Sequence, residues 1–314
     1  MTRLGTGCLL ALCAFAYSAC STSPVALRSA GVSDDVLGRA IGPVFEDARA
    51  LAIDAQGRLY VADAGASTVV VLSANGLFGS TLGGPGTGEY AFLGPSGLDP
   101  TNGLVLFVAD TGNGRIQRFS HDGRLLETIP VPTARGEREG QPFGVRDTPG
   151  DDRRLGQGRP TAIASAVTGE LFAIEETAGV VLRWSDRYLF DRVVGGMDAG
   201  EGALRAPVDL ALGPDGKLFV ADRGNAAVLV YDSFGHYLRR IGDGQLGEVV
   251  AVASFEDRLA VVLPRAVLYY DYNGQRIGGI EIPAGEPLVD VAKQGNELYY
   301  LTRSRLSRAE VEPR

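Results

Sequence analysis

A short apolar motif recurs along the chain, and its spacing limits the possible folds more than any other feature. The sequence LYVADAG at residues 59–65 returns as LFVADTGN at 106–113 and as LFVADRGN at 218–225. Weaker copies occupy residues 171–175, 259–263 and 298–302. The third position of the motif recurs at intervals of 47, 65, 47, 41 and 39 residues. Such a period indicates six copies of one supersecondary unit.

Each unit has the pattern of four short strands. In residues 206–242, apolar runs of four to eight residues are separated by Gly-, Asp- and Ser-containing turns, which is typical of hairpins and not of helices. The chain contains 43 glycines, about twice the ordinary usage, as many tight turns would require. Four-stranded units of this length are typical of propeller blades. The sequence therefore predicts an all-β protein, a six-bladed β-propeller of four-stranded antiparallel blades.

The repeated motif resembles the NHL-repeat family of β-propellers. Residues 107–119 and 219–231 match its Val-Ala-Asp-x-Gly-Asn signature well, residues 60–72 match less closely, and the likeness covers residues 44–312. The family includes peptide-amidating lyases, in which several histidines bind a central metal. This chain has only His121 and His236, both beside hairpin turns, so that activity is not expected. The formal charge of −8 also argues against nucleic acid as a partner.

The first and last segments of the repeat region are expected to meet. The sixth unit lacks a fourth strand, whereas VLGRAIG at residues 36–42 resembles the fourth strand YLRRIG at 237–242. Pairing them would remove an exposed sheet edge, which is an aggregation liability. We therefore predict that residues 35–42 complete the last blade. Residues 35–314 would then form one domain, a monomeric propeller.

The N-terminus has the pattern of an export signal. Arg3, an apolar run at residues 9–17 and small residues before Cys20 predict a signal peptide at residues 1–19. Residues 17–20 resemble the lipobox of bacterial lipoproteins, which implies acylation of Cys20 and a tether at residues 20–34. The resemblance places the protein in the bacterial cell envelope, held to the outer membrane or facing the periplasm through its lipid anchor alone. The alternative is an ordinary secretory signal that happens to contain a cysteine.

Repeat alignment places a small set of side chains at the channel ends of the innermost strands: Arg49, Ser96, Thr161, Asp209, Val249 and Asp290. Of these, Arg49, Thr161, Asp209 and Asp290 are the candidates for a functional channel mouth. Six-bladed lactonase-like propellers hold calcium at this place, and calcium takes oxygen ligands. Only Asp209 and Asp290 are acidic, so we expect no metal or other cofactor, with calcium as the open alternative. The aspartates of the repeat motif itself, Asp63, Asp110 and Asp222, are expected to satisfy backbone N–H groups.

An insertion at residues 131–159 separates the second and third units. It is rich in proline, glycine and charged residues, and a loop of this length is either a solvated surface loop or a contact for a partner or ligand. Together these features favour a non-enzymatic binding or scaffold module whose partner is an envelope protein or glycan. The alternative is a calcium-dependent lactonase- or lyase-like enzyme with its site at the central channel.

Overall fold

In the part of the chain that the structure describes, twenty-four short strands form six four-stranded antiparallel sheets. The computed structural model describes residues 39–100, 103–133, 158–282 and 285–310. Each innermost strand contacts the innermost strands of both neighbouring sheets, and the last sheet contacts the first, so the sheets close into a ring. The predicted six-bladed β-propeller is confirmed.

The strands follow one another blade by blade along the chain. A short strand, β1 (Arg39–Ile41), precedes the first blade. Blade I contains β2 (Ala48–Ile53), β3 (Leu59–Asp63), β4 (Thr68–Leu72) and β5 (Phe78–Gly83). Blade II contains β6 (Pro95–Asp99), β7 (Val105–Asp110), β8 (Arg115–Ser120) and β9 (Leu125–Pro130). Blade III contains β10 (Pro160–Ser165), β11 (Leu171–Glu175), β12 (Val180–Trp184) and β13 (Phe190–Val194).

The second half of the ring repeats this order. Blade IV contains β14 (Pro207–Leu212), β15 (Leu218–Asp222), β16 (Ala227–Tyr231) and β17 (Tyr237–Ile241). Blade V contains β18 (Ala251–Ser254), β19 (Leu259–Leu263), β20 (Ala266–Tyr270) and β21 (Arg276–Glu281). Blade VI contains β22 (Leu288–Gln294), β23 (Glu297–Thr302) and β24 (Leu306–Glu310). Among the described residues, two 3-10 helices, Thr111–Asn113 and Met197–Gly202, lie in connections.

The ring is closed by the N-terminal strand. β1 pairs antiparallel with β24, with Ala40 opposite Ser307 and Ile41 opposite Leu306, and so becomes the fourth strand of blade VI. The predicted closure is confirmed for residues 39–41, while residues 35–38 lie outside the described part of the chain. Because β24 gains a partner, blade VI presents no long unpaired edge at this point.

The hydrophobic core lies between the blades. The second strand of each blade is the repeated motif, and in β3, β7, β11, β15 and β19 its central residues are buried on both faces. One apolar cluster joins Val61 of blade I to Leu301 of blade VI, and another joins Val220 of blade IV to Phe172 of blade III. Each fully buried Val, Leu or Phe side chain stabilises the fold by about 1.5–3 kcal/mol. Blades therefore stabilise one another side by side.

In blades I to IV, the acidic residue at the end of the motif ties the blade to the preceding loop. The carboxylate of Asp110 accepts a hydrogen bond from the Leu93 N–H at 2.8 Å, and Asp222 accepts one from the Arg205 N–H at 2.7 Å. Asp63 and Glu175 accept equivalent bonds from the backbone before β2 and β10. These carboxylates satisfy loop N–H groups that would otherwise be left without partners.

The insertion leaves and enters the ring on one face. The N–H of Val131 donates to Gly114 O at 3.1 Å, and the N–H of Gly158 donates to Val131 O at 3.0 Å. Residues 134–157, which make up most of the predicted 131–159 loop, lie outside the described residues, as do Cys20 and the whole predicted signal and tether. Within the described ranges, no helix has the length and apolar character needed to cross a bilayer.

Candidate functional site at the central channel

The six innermost strands surround a central channel that holds two overlapping cavities. One of about 370 Å³ follows the channel wall, and one of about 490 Å³ occupies the mouth where the innermost strands begin. Pockets for small ligands have volumes of about 300–1,000 Å³. The channel mouth is therefore large enough for a small molecule or for a side chain of a partner.

A β-bulge near the start of the innermost strand shapes this mouth. In blade I the paired residues shift between Ala48 and Ala50, and in blade IV they shift between Pro207 and Asp209. Blades II, III and VI carry the same irregularity. A bulge leaves its extra residue unpaired and re-aims its side chain. The residues at this position that line the mouth are Arg49, Ser96, Thr161, Val208 and Val289, joined in blade V by Val250.

The strand register corrects the sequence alignment by one residue. Asp209 pairs with Ala221, and the equivalent pair in blade I is Ala50 with Ala62. Asp209 therefore corresponds to Ala50, and it lies one residue farther along its strand than Arg49 does. Asp290, opposite Leu301, is shifted in the same way. Arg49 and Thr161 therefore line the mouth, whereas Asp209 and Asp290 lie in the wall beneath it.

Val249 is also displaced from its expected place. Its side chain is fully buried in the apolar cluster between blades IV and V, together with Val228 and Leu246. The neighbouring residue Val250 lines the mouth in its stead.

The two wall aspartates each hold the next blade by a backbone hydrogen bond. Asp209 Oδ2 accepts from the Val252 N–H of blade V at 2.8 Å. Asp290 Oδ2 accepts from the Leu51 N–H of blade I at 2.8 Å, and its Oδ1 accepts from Val291 N–H at 2.7 Å. The bonds from Val252 and Leu51 cross the gaps between blades IV and V and between blades VI and I. Both carboxyl groups therefore join adjacent blades along the channel.

The surroundings of this pair favour the protonated form. Burial raises the pKa of Asp209 to about 7, against the opposing effect of its backbone hydrogen bonds. Burial also raises the pKa of Asp290 well above its usual value, and the negative charge of Asp209 raises it further. The pair can hold a proton near neutral pH, where exposed aspartates are ionised.

A third aspartate of this kind was missed in the sequence. Asp99, near the end of β6, accepts a hydrogen bond from the Ser165 N–H of blade III and is buried. Blades II, IV and VI thus each carry one aspartate on the innermost strand that reaches the next blade. The signal was present in the sequence, because β6, β14 and β22 contain an aspartate while β2, β10 and β18 contain none.

Arginines dominate the charge of the mouth. Arg49 Nε donates to Asp47 at 2.8 Å, and Arg303 Nη1 donates to the other oxygen of Asp47 at 3.0 Å. Arg223 lines the mouth on the far side of the ring, in blade IV, and Glu248 is the acidic residue in the lining. Two arginines thus share one carboxylate, which leaves the rim with surplus positive charge.

At the level of Asp209 and Asp290, the innermost strands of blades I, II and V offer calcium no side-chain oxygen. Calcium takes about 6–8 oxygen ligands, whereas Ala50, Gly97 and Ala251 hold the places that correspond to Asp209 and Asp290 and bring no side-chain oxygen. Across the ranges that the structure describes, no three His, Cys, Asp or Glu side chains form a group that could hold a metal ion. His121 and His236 lie in hairpin turns at the opposite end of the blades.

Comparison with known proteins supports the fold. Residues 204–231 match the family model described as NHL repeat. No curated protein matches the chain in sequence. The chain is a six-bladed β-propeller with an NHL-type segment. That segment spans the end of the loop before blade IV and the strands β14 to β16.

Solved structures with the same fold have diverse roles. A catalytically inactive virginiamycin B lyase from Staphylococcus aureus, solved with quinupristin, has a TM-score of 0.58 and 12% identity, covering 84% of this chain and 80% of that one. A putative gluconolactonase has a TM-score of 0.62 and 15% identity, covering 91% and 96%. A chain of the nidogen/laminin complex has a TM-score of 0.55 and 16% identity, covering 74% and 80%. At such identities the likeness is one of fold and carries no activity over to this chain.

Proposed function

We propose that this protein is a non-enzymatic binding module of the bacterial cell envelope, with its ligand or partner site at the channel mouth. The observation that carries the proposal is that the wall and the mouth of the channel have different roles. The wall carboxylates are engaged with the backbone of neighbouring blades, whereas the mouth offers an open cavity of about 490 Å³. A rigid ring of blades can hold residues of different chemistry at its mouth, and these residues then form a recognition surface.

Attachment to the membrane through acylated Cys20 belongs to the same proposal. The small residues before Cys20 and the polar stretch after it support this arrangement. If Cys20 is acylated, full-length protein expressed in its bacterial host partitions into the detergent phase, and a Cys20→Ser variant moves to the aqueous phase. Equal partitioning of the two proteins contradicts the lipid anchor and leaves export untouched.

Site-specific photocrosslinking tests the location of the binding site. A photoreactive amino acid at Val250 lies at the mouth, whereas one at Val167, which is 92% exposed in the β10–β11 turn, lies at the other end of the blades. We expect a discrete adduct in intact cells from position 250 and none from position 167. Adducts from position 167 alone would contradict a binding site at the mouth.

The rival function, a calcium-dependent lactonase- or lyase-like enzyme, is tested with the same purified protein. A calcium-dependent rise in melting temperature that disappears in the Asp209→Ala/Asp290→Ala variant supports the enzyme. No shift, together with no metal in the purified protein by elemental analysis, supports the binding module. The donor set described above leads us to expect the second result.

A further inference from the structure

The lining of the channel mouth is divided into a polar and an apolar half. Around the ring, the bulge position holds polar residues in blades I, II and III and valines in blades IV and VI, and Val250 takes the corresponding place in blade V, which has no bulge. Pro264, Pro287 and Leu288 extend the apolar half. Because the two halves occupy consecutive blades, the apolar residues form one continuous arc, which we call the valine arc (Val208, Val250, Val289, Pro264, Pro287 and Leu288).

Positive charge lies at both ends of the valine arc. Arg223 follows β15 at the blade IV end, and Arg303 follows β23 at the blade VI end, next to Arg49 of blade I. Among the described residues Arg223 makes no ion pair and no side-chain hydrogen bond, and it is exposed. Arg303 and Arg49 share Asp47, and Glu248 lines the same mouth as an opposing charge. An unpaired guanidinium beside apolar surface is suited to a carboxylate or a similar anion.

The polar half adds one more available group. The Ser96 hydroxyl is engaged with Thr111 Oγ1 at 2.6 Å and with Thr161 O at 2.9 Å. The Thr161 hydroxyl has no hydrogen-bond partner among the described residues and faces the same cavity. The mouth therefore combines a cation, a free hydroxyl and an apolar arc, as pockets for small polar ligands with an apolar body do.

We infer that the channel mouth binds a small organic anion with an apolar body, the anionic group against Arg223 and the apolar body against the valine arc. This inference rests on the proposed function and names the chemical class of its ligand. A neutral molecule of the same shape would gain the apolar contacts but not the charged hydrogen bond. A cation of that shape would be repelled by the arginines.

Three ligands of nearly equal shape test the inference: 4-phenylbutyrate, 4-phenylbutanamide and 4-phenylbutylamine, with charges of −1, 0 and +1. Isothermal titration calorimetry on the protein from residue 20 onward, with Cys20 replaced by serine, should show the anion binding at least tenfold more tightly than the amide. The amine should show no binding, and acetate, which lacks the apolar body, should bind at least tenfold more weakly than phenylbutyrate. Equal binding of anion and amine, or no binding of the anion, overturns the inference.

Single substitutions locate the two parts of the site. Arg223→Gln should weaken phenylbutyrate at least fivefold and leave the amide unchanged, whereas Val250→Ser should weaken both by similar factors. Arg187→Gln removes one exposed positive charge in the β12–β13 turn, at the other end of the blades, and should change neither. If Arg187→Gln matches Arg223→Gln, binding depends on net charge alone and the inference fails. Photocrosslinking at position 250 with no phenylbutyrate binding would reject this ligand class while the proposed binding function stands.

Discussion

Replacing Asp209 by asparagine is expected to stabilise the protein above pH 7 and to leave its stability nearly unchanged near pH 4. The carboxyl group is partly buried in the channel wall, and burial raises its pKa to about 7 from an ordinary value of 3.8. Asparagine retains an oxygen that can accept the hydrogen bond from the Val252 N–H, and it carries no charge at any pH. The substitution therefore removes the cost of ionisation and keeps the bond between blades.

The sign of the effect follows from proton binding. Between pH 3.8 and about 7 the folded protein holds a proton at Asp209 that the unfolded chain has released. The free energy of unfolding therefore falls as the pH rises through this window and becomes level above it. The difference between an ordinary pKa of 3.8 and one of about 7 corresponds to about 4 kcal/mol at most, since a tenfold change in proton affinity is worth about 1.4 kcal/mol. Asp209→Asn also removes the negative charge that raises the pKa of Asp290, so ionising Asp290 costs less in the variant and the variant gains further stability at high pH.

Urea unfolding measures this effect directly. Trp184 is the single tryptophan of the chain and is 1% exposed, so its fluorescence reports loss of the folded ring. The unfolding free energies of wild type and Asp209→Asn are compared at pH 4.5, 6, 7 and 8. We expect the difference to grow from near zero to about 2–4 kcal/mol in favour of the variant. The other charged residues that line the channel cavity, Arg49, Asp99, Asp290 and Lys293, are common to both proteins.

Glu256→Gln provides the control, because this exposed carboxylate lies in the β18–β19 turn outside the channel. It should show no pH-dependent difference from wild type. A variant Asp209→Asn that is destabilised equally at pH 4.5 and pH 8 would show that the hydrogen bond needs the carboxyl group itself. If the free energy of unfolding changes between pH 4.5 and 8 by the same amount in wild type and in Asp209→Asn, Asp209 is ionised at no cost and the reasoning is wrong.

Two further predictions concern the ring and its turns. A chain that begins at residue 35 should fold cooperatively, whereas one that begins at residue 43, and so lacks β1 opposite β24, should be largely insoluble or should melt at a much lower temperature; equal melting curves would refute closure by β1. Gly83→Ala should lower the free energy of unfolding by about 2–4 kcal/mol, because φ is +87° and a Cβ would lie 2.2 Å from the Phe92 ring. Gly216→Ala, at φ +75° with no atom within 4 Å, should lower it by only about 1 kcal/mol through backbone strain. Thermal or urea unfolding measures both values.

The number of blades and the closure of the ring could be predicted because both depend on a periodic signal. The motif ending in Asp63, Asp110 and Asp222 marks the buried second strand, and its period counts the blades. The pairing of β1 with β24 followed from the likeness of residues 36–42 to an outer strand. These features survive sequence divergence because burial and turn chemistry constrain them in every copy.

The arrangement of the channel could not be predicted to the residue. A bulge inserts one residue into the innermost strand, and no single residue type marks it: it begins at a proline in blades II, III and IV but at Ala48 in blade I and Leu288 in blade VI. The repeat alignment therefore placed Asp209 in register with Arg49. In a strand, a shift of one residue turns a side chain to the other face. The alignment was therefore right about which strands line the channel and wrong about which of these side chains lie at the mouth and which in the wall.

That single residue separates two physical roles on the same strand. The residue in the bulge, such as Val208, lies at the mouth and has no partner in the strand pairing of its own blade, although Val208 also packs against the apolar cluster between blades IV and V. The next residue, such as Asp209, bonds to the neighbouring blade, and its replacement by an apolar residue would leave the Val252 N–H without an acceptor. Among the mouth positions 49, 96, 161, 208, 250 and 289, substitution should be tolerated best at 49 and 161, because the Ser96 hydroxyl bonds to blade III and the three valines pack against the apolar clusters between blades. The wall positions 99, 209 and 290 should accept only residues that keep a hydrogen-bonding oxygen. The polar and apolar halves of the mouth arise from the first set, and the stability of the channel arises from the second.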